Sequence, residues 1–275
     1  MQTKIISDAL SKLKKSVEYC RYIEPALWKN EKFVFAAFKQ IGSHALGFAH
    51  DSLRKDKKFM LKVAKIDWSA FQYADWSLKD SREFMLEVVK KTNPHVFEYA
   101  SYYLQRNEKF ILELLKEYDI CILKYAADEL KMDYYFMLNA VTQNLRALQF
   151  ADDRLKKDSR FMLNAIKINW RALKYAADNL KKDSALVLEA AKQDENALQF
   201  ADDSLKEDRK FMLDIVKINW LALVFAHDNL KKDMTFMLDA SSLNWQAFAF
   251  AQDSLIKNKK FMHIINEIIK RQDIP

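Results

Sequence analysis

Leu155 to Ala176 reads L-K-K-D-S-R-F-M-L-N-A-I-K-I-N-W-R-A-L-K-Y-A, and Leu205 to Ala226 reads L-K-E-D-R-K-F-M-L-D-I-V-K-I-N-W-L-A-L-V-F-A. These are one string with substitutions. It returns from Leu53, Leu78, Leu104, Leu130, Leu180, Leu230 and Leu255, with a degenerate first copy from Leu27 to Ala49. Phenylalanine keeps the register at Phe33, Phe59, Phe84, Phe110, Phe136, Phe161, Phe211, Phe236 and Phe261, and Leu186 replaces it in one copy. The steps are 25 or 26 residues throughout. Self-similarity at such a period marks a stacked-repeat architecture, in which one unit cannot bury its apolar face alone.

Working outward from the string, each unit divides into two helical segments. The first starts after Asp56, Ser81, Asn107, Asp133, Asp158, Asp183, Asp208, Asp233 or Asn258. The side-chain oxygens of these residues can satisfy a free N–H in a first turn. Lys39, Lys65, Lys90, Lys116, Lys167, Lys192 and Lys217 recur near the far end, where a cation suits the helix dipole. The second segment starts after Asp67, Asn93, Asp119, Asn144, Asn169, Asp194, Asn219 or Asn244, with Pro94 at a first helical position. Its apolar residues read A-L-x-Y/F-A-x-x-x-L, which predicts a second amphipathic helix. Alanine at the fifth place, as Ala49, Ala74, Ala100, Ala126, Ala151, Ala176, Ala201, Ala226 and Ala251, implies a crossing that admits only a methyl group.

The expected fold is all-α: a right-handed α-solenoid of about ten 25–26-residue helix–turn–helix repeats, preceded by a longer capping helix over residues 1–26. The repeats form a single run over 27–275, starting near 27, 53, 78, 104, 130, 155, 180, 205, 230 and 255. Two glycines and three prolines in 275 residues are too few for the turns of a sheet protein. Half the residues are hydrophobic, enough for a continuous core.

The pattern L-K-x-D-x-x-F-M-L-x-A-x-K-x-N-x-x-A-L-x-Y-A-x-D, clearest over residues 130–251, resembles a bacterial repeat family known as a domain of unknown function, DUF4116. The likeness covers nearly the whole chain and is looser over 27–52 and 76–126. Trp68, Trp170, Trp220 and Trp245 depart from it, standing after the Asp or Asn where that family often has glycine. The resemblance implies a helical repeat in a bacterial protein, with delivery into a host cell as one location. It supplies no reaction, cofactor or catalytic residue.

The residues themselves argue against catalysis. Gly42 and Gly47 stand alone, so there is no glycine-rich phosphate loop. His44, His50, His95, His227 and His263 lack metal-ligand spacing, and no Ser or Cys has a local base. Cys20 and Cys121 read as reduced thiols. No apolar run approaches a membrane span and the first residues lack a signal peptide, so the expectation is a cytoplasmic, non-catalytic protein without cofactor or membrane insertion.

Three surface features remain. An aspartate precedes each marker leucine by two residues, as Asp51, Asp128, Asp153, Asp178, Asp203, Asp228 and Asp253. Read as lying late in a helix, these carboxylates oppose the dipole and need local compensation. Two copies put Trp76 and Tyr102 in that place; Tyr103 follows, and Tyr134 and Tyr135 open a helix where other copies have polar pairs. Aromatics at positions that the repeat marks as exposed are candidate partner-binding anchors. The net charge of +7 lies within residues 1–70, which hold 14 Lys and Arg against seven Asp and Glu. Lys12, Lys14, Lys15, Arg21, Lys29, Lys32, Arg54, Lys55, Lys57 and Lys58 are therefore candidate anion-binding residues. The leading expectation is a scaffold for an unidentified protein partner. The alternatives are nucleic-acid binding through the basic end, and a repeat-fold enzyme such as a glycosylase, which would need a buried carboxylate in an aromatic cleft.

Overall fold

Residues 2–118 and 120–272 are described in the computed structural model, and among them every regular element is helical. The chain divides into two compact units, Met1–Lys131 and Met132–Pro275.

Each repeat before the last, which is the single helix Lys259–Gln272, contains three elements. A long α-helix of eight to eleven residues, such as Lys57–Ala64 or Ser159–Ile168, is followed by a 3-10 helix of five or six, such as Trp68–Tyr73 or Trp170–Tyr175. A short α-turn then follows, such as Trp76–Lys79 or Asp178–Lys181. The predicted second amphipathic helix is thus two elements. The recurrent alanine separates them: Ala74 has φ −59° and ψ 146°, and Ala176 φ −62° and ψ 147°. The residue after the alanine starts a new helix, and in several copies its side chain caps the turn, as Asp75 accepts from Ser77 N–H and Asp202 from Ser204 N–H. Ala177 takes the same place with no side-chain cap, so the break does not depend on that bond. The alanine is buried in every copy, as the repeat pattern required.

In the first unit the helix Gln2–Lys15 ends earlier than the expected capping segment over 1–26. Ser16 caps a 3-10 helix, Val17–Tyr22, and a second one, Leu27–Lys29, leads into the long helix Glu31–Ile41. Gly42 closes that helix with φ 77°, a conformation a β-carbon would strain. The long helices from Gln2–Lys15 to Arg82–Lys91 each touch the next. The second unit stacks its long helices in the same way, from Tyr134–Gln143 to Lys259–Gln272. In each unit successive 3-10 helices also meet.

The caps of the long helices follow the sequence closely. Asp56, Asn107, Asp133, Asp158, Asp208 and Asp233 each accept from the N–H of the marker phenylalanine three residues on. Asp67, Asn93, Asn144, Asn169, Asp194, Asn219 and Asn244 cap the 3-10 helices, accepting from the N–H two residues on. Asp119 lies outside the described residues. Phe110, Phe136, Phe161 and Phe236 are fully buried, with Met137, Met162 and Met237 beside them.

A backbone ladder joins the short turns within each unit. In the first, Asp75 N–H donates to Arg54 O at 3.0 Å, Ser101 to Lys79 at 2.9 Å and Ala127 to Gln105 at 2.9 Å. In the second, Ala177 donates to Lys156, Asp202 to Lys181, His227 to Lys206 and Gln252 to Lys231. The last carbonyls of one short turn therefore meet the first N–H of the next, which satisfies both ends.

Candidate functional site

The short turns carry the aspartate row and its aromatic interruptions. Asp51, Asp128, Asp153, Asp178, Asp203, Asp228 and Asp253 are each the first residue of a short α-helix. This corrects the expectation that they lie late in a helix: their charge favours the dipole there. The reversal follows from the break at the alanine, which makes a new N-terminus just before each aspartate. Five of them pair with the cation three residues on: Asp51 with Arg54, Asp128 with Lys131, Asp153 with Lys156, Asp178 with Lys181 and Asp203 with Lys206. The lysine at that place also reaches back to the end of its 3-10 helix. Lys79 Nζ donates to Gln72 O at 2.6 Å, and Lys231 Nζ to Val224 O at 2.9 Å. Burial holds the Lys79 ammonium below its ordinary pKa.

Trp76 and Tyr102 occupy the first position of their short helices and are about half exposed. Tyr103 is more exposed still, at 71%. The Trp76 and Tyr103 rings meet edge to face with centroids 6.1 Å apart, bridging two repeats. Tyr102 Oη donates to Glu129 at 2.9 Å and accepts from Arg106 at 3.0 Å, and the guanidinium also lies over the Tyr102 ring. Glu129 is held below the ordinary carboxylate range by its own backbone N–H and then by the Tyr102 hydroxyl. The first unit thus presents one cluster built from three consecutive short turns: two exposed rings in contact, beside a third ring tied to a cation and a carboxylate.

The other two aromatics belong to the second unit and divide. Tyr135 is 74% exposed. Tyr134 is not, correcting the expectation from its polar counterparts: its ring packs on Phe161 and its hydroxyl accepts from Asn164 Nδ2 at 2.5 Å. A helix-start position that looks exposed in sequence is covered by the neighbouring repeat. A further exposed patch is aliphatic, and its only mark in the sequence is the loss of charged residues at equivalent repeat positions. Ile218, Leu221 and Val224 are about half exposed, and Leu221 and Val224 stand where another copy has Arg171 and Lys174.

Of the ten candidate anion-binding residues, Lys12, Lys14, Lys15, Arg21, Lys29, Lys32, Lys55, Lys57 and Lys58 are exposed and Arg54 is partly covered. Among the described residues only Arg54 has an acidic partner, Asp51. Lys57 Nζ lies over the Phe84 ring. The tryptophan row faces neighbouring repeats: Trp68 lies on Tyr99, Trp170 on Phe200 and Trp220 on Phe250.

His95, beside Trp68, shares a 2.6 Å hydrogen bond with Tyr125, whose hydroxyl burial pushes above its ordinary value. Burial likewise raises Cys20. No three His, Cys, Asp or Glu side chains among the described residues come together as a metal site. No helix among them is long and apolar enough to cross a membrane.

A family model described as a domain of unknown function (DUF4116) matches the chain five times in tandem, over residues 9–79, 81–131, 133–181, 183–231 and 208–256. Most matches cover two of the 25-residue units. No curated protein and no solved structure matches the chain significantly.

Proposed function

The chain belongs to the DUF4116 repeat family, and on that premise we propose that it is a non-catalytic scaffold for protein–protein interaction. The observation that carries the reading is the contact of Trp76 with Tyr103. Two large rings stay exposed across two repeats, Trp76 in a position where most copies carry aspartate. Exposed Trp and Tyr, rigid and amphipathic, are the side chains that anchor interfaces. Arg106 and Glu129 supply a polar rim beside them. The test is affinity capture by the full chain and by its Trp76→Asp/Tyr102→Asp variant, which restores the residue the repeat pattern puts there. Loss of a defined protein from the variant supports the reading; identical captured sets overturn it.

A second reading, nucleic-acid binding through the basic end of the first unit, is favoured by the nine exposed cations there that form no ion pair among the described residues. Phosphate contact would make binding fall steeply with salt. Titration with mixed DNA and RNA at low and moderate salt decides it: salt-steep binding demotes the protein scaffold, and no binding leaves the basic end as a solvated cap. Cytoplasmic location and bacterial origin belong to the same proposal, supported by the family resemblance.

A further inference from the structure

The long helices of the second unit present a second regular surface. In each, the residue before the marker position, the residue two after it and the residue six after it lie one turn apart on one face. In Ser159–Ile168 these are Arg160, Leu163 and Lys167; in Ser184–Ala191 and its cap they are Ala185, Leu188 and Lys192; in Arg209–Val216 and its cap they are Lys210, Leu213 and Lys217. The leucines are half-buried and the flanking residues exposed. An open groove of about 620 Å³ runs between the first two helices, with Leu163, Leu188 and Ala185 among its lining residues. A second, of about 560 Å³, holds Lys210, Leu213 and Lys217. The first groove sits at the one copy that carries Ser184-Ala185-Leu186 where another has Arg209-Lys210-Phe211.

The acidic groups on this face are already engaged. Asp183 accepts from the N–H of Ala185 and Leu186, and Asp208 from that of Phe211. Glu189 pairs with Lys192, and Asp214 with Lys217. Arg160, Lys167 and Lys210 enter no ion pair among the described residues. What remains is an apolar row with Arg160 and Lys210 unpaired along one edge and Lys167 unpaired along the other, where Lys192 and Lys217 already hold carboxylates.

We propose that this face docks an amphipathic α-helix with an apolar residue at every seventh position and acidic residues on both flanks. The spacing selects that partner. Packed helices lie roughly 8–10 Å apart, so Leu163, Leu188 and Leu213 repeat at about that interval. Seven residues of an α-helix advance about 10.5 Å. A helix laid across the three would seat one apolar residue per repeat. Its carboxylates would meet the unpaired Arg160 and Lys210 on one side and Lys167 on the other, a helix-in-groove mode with charge complementarity. The inference rests on the scaffold reading, but it uses residues of the second unit and not the aromatic cluster of the first.

The probe is a labelled peptide of about 20 residues, enough to cross three repeats, with leucine at every seventh position and glutamate on both flanks. A twin with lysine for glutamate and a scrambled version serve as controls. Anisotropy titrations use the full chain. Saturable binding of the glutamate peptide alone is expected, about tenfold weaker for Arg160→Glu/Lys167→Glu, weaker for Leu163→Gln/Leu188→Gln, and unchanged for Trp76→Asp/Tyr102→Asp. No saturable binding, equal binding of the three peptides, or displacement by an oligonucleotide that depends on Arg160 and Lys167 would overturn it. If the leucine variant fails to melt as the parent does, the charge variant and the twin peptide decide. Failure here with the aromatic variant still losing its captured partner rejects this groove and leaves the scaffold reading standing.

Discussion

Arg209 and Asp239 are 30 residues apart in sequence, yet Nη2 of the first donates to Oδ2 of the second at 2.6 Å. The same two repeat positions hold Tyr134 and Asn164 in that unit. In the first unit they hold Glu31 with Lys62, and Arg82 with Glu113. The start of one long helix is thus laced to the middle of the next. The chemistry of the pair varies, and its place does not.

The ionic lacings are exposed and the Tyr134–Asn164 bond is part-buried, so each contributes modestly. Arg209→Ala should cost about 0.5–1 kcal/mol and Tyr134→Phe about 1 kcal/mol, read by urea denaturation. Salt separates them: the Arg209→Ala effect should shrink as ionic strength rises, and the Tyr134→Phe effect should not. Equal salt sensitivity would contradict the ionic account.

The marker aromatics hold the core. Phe161 is fully buried and Tyr134 packs on it, so Phe161→Ala should cost about 3–5 kcal/mol. A denaturation midpoint close to that of the parent would show that the site collapses around the missing ring.

The recurrent alanine separates two helices and has no room to grow. Ala201 is buried with φ −68° and ψ 147°. Ala201→Leu should destabilise by about 1–3 kcal/mol through overpacking. A neutral result, read from the melting temperature, would mean that the methyl-only pattern is not set by packing.

Exposed rings can be removed without harm to the fold. Trp76→Asp/Tyr102→Asp should change stability by no more than about 1 kcal/mol. A larger loss on thermal melting would assign the cluster to structure instead of to a partner.

Acid should weaken the capped helix starts, those of the short turns at Asp75 and Asp202 and of the long helix at Asp233. The Asp75 and Asp202 carboxyls are held below the ordinary aspartate range chiefly by the Ser77 and Ser204 hydroxyls, and then by the backbone N–H groups of those residues. Asp233 is lowered first by the Thr235 hydroxyl. Because these folded values lie below the unfolded ones, the stabilisation is complete above the ordinary value of 3.8 and is lost as pH falls through the depressed folded values. The melting temperature should therefore drop below about pH 4, and Ser204→Ala should make the drop smaller. An unchanged acid profile in that variant would reject the hydroxyl as its cause.

Part of the candidate surface was legible in the chain and part was not. Trp76, Tyr102, Tyr103 and Tyr135 break the repeat at exposed positions, and they are exposed. Tyr134 follows the same rule and is covered, because Asn164 and Phe161 arrive from the next repeat. The aspartates keep their place in the repeat, but they start a helix where the sequence pattern puts them near the end of one. The string A-L-x-Y/F-A-x-x-x-L fits one amphipathic helix as well as two short ones, and only the backbone angles at the alanine distinguish them.

The sequence by itself determined the repeat, its period, its core phenylalanines and the caps of its helices, because these depend on residues within a few positions of one another. Asp158 caps Phe161 wherever the rest of the chain goes. The tertiary structure decided what depends on residues 21 to 31 positions away: the backbone ladder between short turns, the lacing of long helices, and which side of Tyr134 meets water. Those contacts are made by stacking one repeat on the next, and a local pattern carries no record of which side chain its neighbour will cover.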